Sequence, residues 1–158
     1  MKISFLLNGA MVSLDTDPMR RLIDVLREDF GLVGVKEGCG EGECGTCSIL
    51  LDGGLALSCI VAVGAVHGRE VTTIEGFEKT DAFHNLATAF VEAGAVQCGY
   101  CTPGMILAAH ALLATVPDPD ESQIREALSG NLCRCTGYNL MVKAVMSAAQ
   151  RWKESTPT

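Results

Sequence analysis

Eight cysteines, all of them falling into two quartets, constrain this 158-residue chain more than any other feature. The first quartet is Cys39-x4-Cys44-x2-Cys47 with Cys59 further on, and the second is Cys98-x2-Cys101 with Cys133-x-Cys135. The first spacing is the plant-type arrangement that wraps a [2Fe–2S] cluster in thiolates. No cysteine is left over. A chain carrying two such clusters is expected to conduct electrons.

Disulfides are the plainer alternative. Against them stand the even clustering, the glycine-saturated first loop, the C-x-C pair and a cysteine content below that of secreted disulfide scaffolds. A chain of this length makes one ordinary domain or two small ones, and a half-chain is marginal without a staple, which a metal cluster in each half would supply. The opening apolar run is broken at Asn8-Gly9, too early for an export segment, and Arg20-Arg21 leads into Asp24, Arg27 and Glu28, an amphipathic pattern. No stretch is long and apolar enough to span a bilayer. The expected setting is a reducing cytoplasm, away from membranes. A net charge of −7 without a basic stripe excludes a nucleic-acid partner.

Asn8-Gly9 flanked by alternating residues predicts a hairpin of strands 3–7 and 11–14. Asp17-Pro18 reads as an N-cap and N1 proline, the stripe Leu22, Val25, Leu26 and Phe30 as a helix, and Gly31 as its C′ residue. After a glycine-rich loop over 34–45 come a strand at 48–51, a turn at Asp52-Gly53-Gly54, a partner strand from Leu55, and another strand at 71–74. Beyond Gly76 the apolar period becomes helical, over 84–93, 103–115, 122–128 and 138–152. Thr102-Pro103 again resembles a cap with an N1 proline, and Pro117 and Pro119 end that helix. The expectation is an α+β chain with a cluster-binding domain at 1–76 and a helical, cluster-binding domain at 77–158.

Gly38, Gly40, Gly42 and Gly45 interleave the first three cysteines. Without Cβ atoms, they let the backbone curl round an anionic cluster and aim amides at its sulfurs. Mere turn flexibility is the competing account of these glycines. The second quartet leaves iron–sulfur and zinc both open, because structural zinc also uses C-x2-C pairs, although C-x-C is less usual for zinc. Both of its pairs are expected at helix termini, where the dipole favours thiolates. Lys36 and Arg134 either offset cluster charge or are solvated. His67, His84 and His110 read as ordinary histidines, the stripe Met105, Ile106, Leu112 and Leu113 as core, and Gln97 and Tyr100 as polar packing residues. No acid/base pair, nucleophile triad, P-loop or GxGxxG is present.

Three long motifs carry a family resemblance: Gly38-Cys39-Gly40-Glu41-Gly42-Glu43-Cys44-Gly45-Thr46-Cys47, Gln97-Cys98-Gly99-Tyr100-Cys101-Thr102-Pro103-Gly104-Met105, and Gly130-Asn131-Leu132-Cys133-Arg134-Cys135-Thr136-Gly137-Tyr138. Over essentially its whole length the chain resembles the small iron–sulfur subunit of molybdenum hydroxylases, the xanthine dehydrogenase family. The resemblance implies a ferredoxin-like β-grasp domain followed by a four-helix bundle, each with one [2Fe–2S] cluster, and decides the second site for iron. It implies an oxidoreductase whose large subunit holds a molybdopterin-type molybdenum cofactor and whose medium subunit holds FAD, in a hetero-oligomer such as a dimer of heterotrimers. Electrons would enter at Cys98, Cys101, Cys133 and Cys135, pass to Cys39, Cys44, Cys47 and Cys59, and leave to FAD. Gln97 and Cys135 would lie against the pterin. The reaction is hydroxylation of a heteroaromatic or aldehyde substrate, and the run from Leu26 to Cys39 looks most like dehydrogenases of nicotinate or purines. Departures are Thr46, where alanine is frequent, Tyr100, where phenylalanine is also common, and Asn139, where glutamine often stands. A different reading is a free-standing ferredoxin-type carrier whose helical half is a metal-stapled docking module.

Overall fold

The computed structural model describes residues 1–155; the last three residues of the expected helical domain lie outside them. Strands β1 (Lys2–Leu7) and β2 (Ala10–Asp15) form the expected hairpin, with Ile3 opposite Leu14 and Phe5 opposite Val12. Asn8 and Gly9 both take positive φ, 51° and 82°, as the two central residues of a type I′ turn require. Asn8 also works at long range. Its side-chain carbonyl accepts from Thr73 N–H at 2.8 Å and its amide donates to Thr73 Oγ1 at 3.0 Å.

The first helix starts later than its sequence signals suggest. Asp17 Oδ1 accepts from Met19 N–H at 2.9 Å in a local turn, and the backbone of 18–22 pairs with 61–64, so that Leu22 N–H reaches Val61 O and Val63 N–H reaches Arg20 O, both at 2.8 Å. Extended pairing outbids a proline-led helix start here. Helix α1 (Leu22–Asp24) runs directly into a π-helical turn at Val25–Asp29, closed by Phe30 N–H on Val25 O, with Gly31 at φ +67° just beyond.

Strand β3 (Ser48–Leu51) turns through Asp52 and Gly53 into β4 (Gly54–Leu57), and β5 (Glu70–Thr72) completes a sheet of order β2-β1-β5-β3-β4. Only β1 and β5 are parallel; the other pairs are antiparallel. The strand expected at 71–74 stops at Thr72, where the Asn8 clamp on Thr73 diverts the chain, and Ile74 opens the short helix α2 (Ile74–Phe77). A mixed sheet folded over one helix is the expected ferredoxin-like arrangement.

Helices α3 (Asp81–Glu92), α4 (Thr102–Thr115), α5 (Glu121–Leu128) and α6 (Asn139–Ser155) pack as a four-helix unit. Asp120 caps α5 in a complete capping box with Gln123. Thr102 is not the cap of α4: Cys101 holds that position, and the Thr102 hydroxyl is buried without a hydrogen-bond partner among the described residues. One core gathers Ile3, Phe5, Leu22, Leu26, Ile49 and Val71, and another Leu86, Phe90, Met105, Leu107, Ile124 and Met141. Alternation along β3 ties them together. Ile49 points into the first core, while its neighbour Leu50 points through the opposite face into the helical one.

Candidate metal centres

The glycine-rich loop curls as its composition predicts, with Gly40, Gly42 and Gly45 at φ between +70° and +81°. The fold it makes is a nest of amides round one sulfur: Cys39 Sγ accepts from the N–H groups of Glu41, Glu43 and Cys44 at 3.3, 3.3 and 3.4 Å. Those three backbone donors hold the Cys39 thiol down to about 7. Cys44 Sγ meets Cys39 N–H at 3.4 Å and Thr46 Oγ1 at 3.2 Å. A Cβ added at Gly38 would sit 2.8 Å from Cys44 Sγ, so this glycine is required by space and not only by flexibility.

Cys47, at the entrance to β3, and Cys59, just after β4, face each other in the interior. Burial pushes the Cys47 thiol up to about 11. The first quartet is therefore a pair at the protein's edge, Cys39 with Cys44, and a buried pair, Cys47 with Cys59.

The second quartet assembles from three places. Cys98 lies in the loop after α3, Cys101 caps α4, and Cys133 and Cys135 lie in the loop before α6. Cys135 Sγ stands 3.6 Å from Cys98 Sγ, both exposed, while Cys101 and Cys133 are buried against each other. Burial raises the Cys101 thiol to about 12. Burial also opposes ionisation of Cys133, but the Thr136 hydroxyl at 3.2 Å and neighbouring amides outweigh it, and its thiol is lowered. Only Cys101 stands at a helix start; Cys133 and Cys135 precede α6 by several residues, so the expected dipole contribution is confined to one side.

Among the described residues, no three Cys, His, Asp or Glu side chains converge tightly enough to hold one ion. The thiols instead stand as two pairs per quartet, which suits two irons each taking two thiolates better than a single shared zinc. Donor chemistry, amide nest and the room kept clear at Gly38 all fit a [2Fe–2S] group. When bound, such a group accepts and releases one electron without proton chemistry from the chain.

Several contributors went unrecognised in the sequence. Tyr100 was expected as packing, yet its hydroxyl donates to Glu37 O at 2.5 Å and ties the second-quartet loop to the first. Tyr138, at φ +70°, accepts from Cys133 N–H at 2.9 Å. Asn131 is buried between the two loops and donates to Gly45 O at 3.0 Å. Lys36 donates to Val33 O, Arg134 is exposed, and Gln97 is exposed beside Cys98. Of the histidines, His67 accepts from Ser4 N–H through Nδ1 and His110 packs against Phe77, both remote from the thiols in sequence.

Two family models match adjoining stretches that together make up most of the chain. A 2Fe-2S iron-sulfur cluster binding domain matches residues 5–72 and a [2Fe-2S] binding domain matches residues 73–146. The nicotinate dehydrogenase small FeS subunit of Eubacterium barkeri is 50% identical over 149 residues, covering 94% of this chain and 95% of that protein. The chain belongs to the small iron–sulfur subunits of the molybdenum hydroxylases. Another such subunit, the xanthine dehydrogenase iron-sulfur-binding subunit of Escherichia coli O157:H7, is 42% identical over 142 residues, 89% of each chain. In solved structures, quinoline 2-oxidoreductase from Pseudomonas putida 86 matches with TM-score 0.90 at 38% identity, covering 98% of this chain and 97% of that one. Aldehyde oxidoreductase from Desulfovibrio gigas matches with TM-score 0.91 at 41% identity, and there the likeness covers 99% of this chain but 18% of the longer one. As a molybdenum hydroxylase small subunit, this chain is the electron-transfer component of an oxidoreductase and works with larger partners. No helix among the described residues is long and apolar enough to cross a membrane.

Proposed function

We propose that Cys98, Cys101, Cys133 and Cys135 hold the cluster that receives electrons from a molybdopterin-bound molybdenum in a large subunit. Cys39, Cys44, Cys47 and Cys59 hold the cluster that passes them to FAD in a medium subunit. The observation that carries passage between the two stations is the bridge between the quartets: Leu132 N–H, next to Cys133, donates to the carbonyl of Cys44 at 2.8 Å. An electron moving between the quartets has a covalent path interrupted by one hydrogen bond.

Exposure supports the entry point. Cys98 and Cys135 are exposed together with Gln97, so a cofactor held by a partner can reach them, and Gln97 supplies an amide and Cys135 a sulfur to a pterin edge. We place the domain boundary between residues 76 and 77, inside α2 and just beyond β5, the strand that completes the sheet. The substrate class is an N-heterocycle, supported by the half-identity to a nicotinate dehydrogenase subunit, and is hydroxylated entirely on the large subunit. The complex is a hetero-oligomer of the three subunit types, built as a dimer of heterotrimers. Eight unpaired thiols suit a reducing cytoplasm.

The test is anaerobic purification from the native host. The expected material contains about four irons per copy of this chain and gives two paramagnetic signals on reduction. It brings down two larger chains carrying FAD and molybdenum, and is bleached by an N-heterocycle. Two irons with zinc, or a protein that is monomeric in its host, rejects the assignment.

A further inference from the structure

Thr46 sits between Cys44 and Cys47 of the first loop and is 7% exposed. Among the described residues its hydroxyl has one partner, Cys44 Sγ at 3.2 Å. Either atom can donate while the sulfur is a thiol, but a metal-bound sulfur is a thiolate without a proton, and the hydroxyl is then the donor. We propose that the Thr46 hydroxyl, by donating to the Cys44 thiolate, raises the reduction potential of the first cluster. This rests on the assignment of Cys44 as a ligand of that cluster.

The physical reason is charge. One-electron reduction adds a negative charge to an assembly that is already anionic, so a donor aimed at a ligand sulfur stabilises the reduced form more than the oxidised one. Burial makes the effect count: where water is kept out, the interaction is poorly screened and no solvent molecule replaces a lost donor.

The surroundings hold this hydroxyl in place. Thr46 O accepts from Lys36 N–H at 3.3 Å, and the start of α4 lies against the other side, where a Cβ on Gly104 would be 3.4 Å from Thr46 Cα. On the open side, a Cβ on Gly38 would come within 3.1 Å of Thr46 Oγ1, so the glycine leaves the pair undisturbed. In the second quartet Thr136 reaches Cys133 Sγ at 3.2 Å, but it also lies 3.8 Å from Met141 Sδ and accepts from Tyr138 N–H. The Thr46 proton has a single destination and Thr46 is a positioning residue acting through Cys44.

The experiment is a redox titration followed by electron paramagnetic resonance on the full chain, purified anaerobically with both clusters, as wild type and as Thr46→Val, Thr46→Ala and Thr46→Ser. In Val and Ala the reduced-to-oxidised ratio of one signal, read at a fixed potential, falls roughly threefold to tenfold, tenfold being about 59 mV for one electron. The other signal keeps its midpoint, and Ser restores the first. Unchanged midpoints in Val and Ala with iron retained overturn the proposal. So does failure of both to take up iron at the first site, which makes the hydroxyl an assembly requirement and not a tuning donor. A wild-type chain that binds no iron refutes the ligand assignment itself, a separate failure visible before any titration.

Discussion

Leu132 gives its backbone N–H to the carbonyl oxygen of Cys44 at 2.8 Å, so a residue adjoining one quartet is bonded to a residue within the other. Asn131, immediately before it, reinforces the join through Gly45 O at 3.0 Å and Ser48 Oγ at 3.4 Å. Close approach is enforced by the glycines: a Cβ on Gly104 would lie 2.5 Å from Gly45 O, and one on Gly45 would lie 2.4 Å from Gly130 O. The two loops are thus held at backbone contact by residues that have no side chain to separate them.

Asn131→Ala removes both side-chain bonds, leaving the buried Gly45 carbonyl to the Ser48 N–H at 3.2 Å and the Ser48 hydroxyl at 2.7 Å. The expected cost is about 1–3 kcal/mol. For a chain of this size each kcal/mol corresponds to a fall of roughly 2–4 °C in the unfolding midpoint, which circular dichroism on the cluster-loaded chain measures. An unchanged midpoint means that the backbone bond alone carries the join.

Leu50→Ala opens a cavity where β3 meets the helical core, at a side chain that is 5% exposed. A loss of about 2–5 kcal/mol is expected, against about 0.5 kcal/mol or less for Leu55→Ala on exposed β4. Urea midpoints for the two variants make the comparison. Equal losses would show that the sheet and the helices are not joined through Leu50.

Cys135→Ala takes one thiolate from the exposed pair of the second quartet. About half the iron and one of the two paramagnetic signals should be lost, with weaker folding of the helical part and no substrate-driven reduction of FAD in the complex. Gln97→Ala, by contrast, should keep the iron content and slow that reduction. Iron analysis and flavin bleaching separate the two, and persistent FAD reduction in Cys135→Ala contradicts the proposed route.

His110 packs its ring 4.5 Å from that of Phe77, and burial lowers its pKa below the ordinary 6.5. The unfolded chain therefore binds this proton more readily than the folded one. Its contribution to stability is full above about pH 6.5 and declines as pH falls from there towards the lower folded value. His110→Phe should flatten this part of the profile, read as the difference between wild-type and variant melting midpoints from pH 7.5 to 5. Parallel profiles would mean that His110 is solvated enough to protonate in place.

The cysteine spacing, the glycines between them and the change from alternating to helical period were legible along the chain, because each is a local pattern that depends on a few neighbouring residues. That was enough for the type of the first cluster, the α+β order and the bundle, while the second quartet stayed open between iron–sulfur and zinc until the longer motifs pointed to a family. Local signals misled where distant backbone competed for the same atoms. Asp17-Pro18 looks like a helix start, but residues 18–22 are drawn into pairing with 61–64, and Ile74 looks like strand until Asn8, sixty-five positions away from Thr73, holds the chain out of the sheet. What only the folded chain decided is the meeting of the two quartets. Nothing in the spacing of Cys44 and Leu132 says that their backbones touch. The contact arises because Ile49 and Leu50 face opposite sides of β3 and commit one strand to both cores, and because glycines let the loops approach to hydrogen-bonding distance.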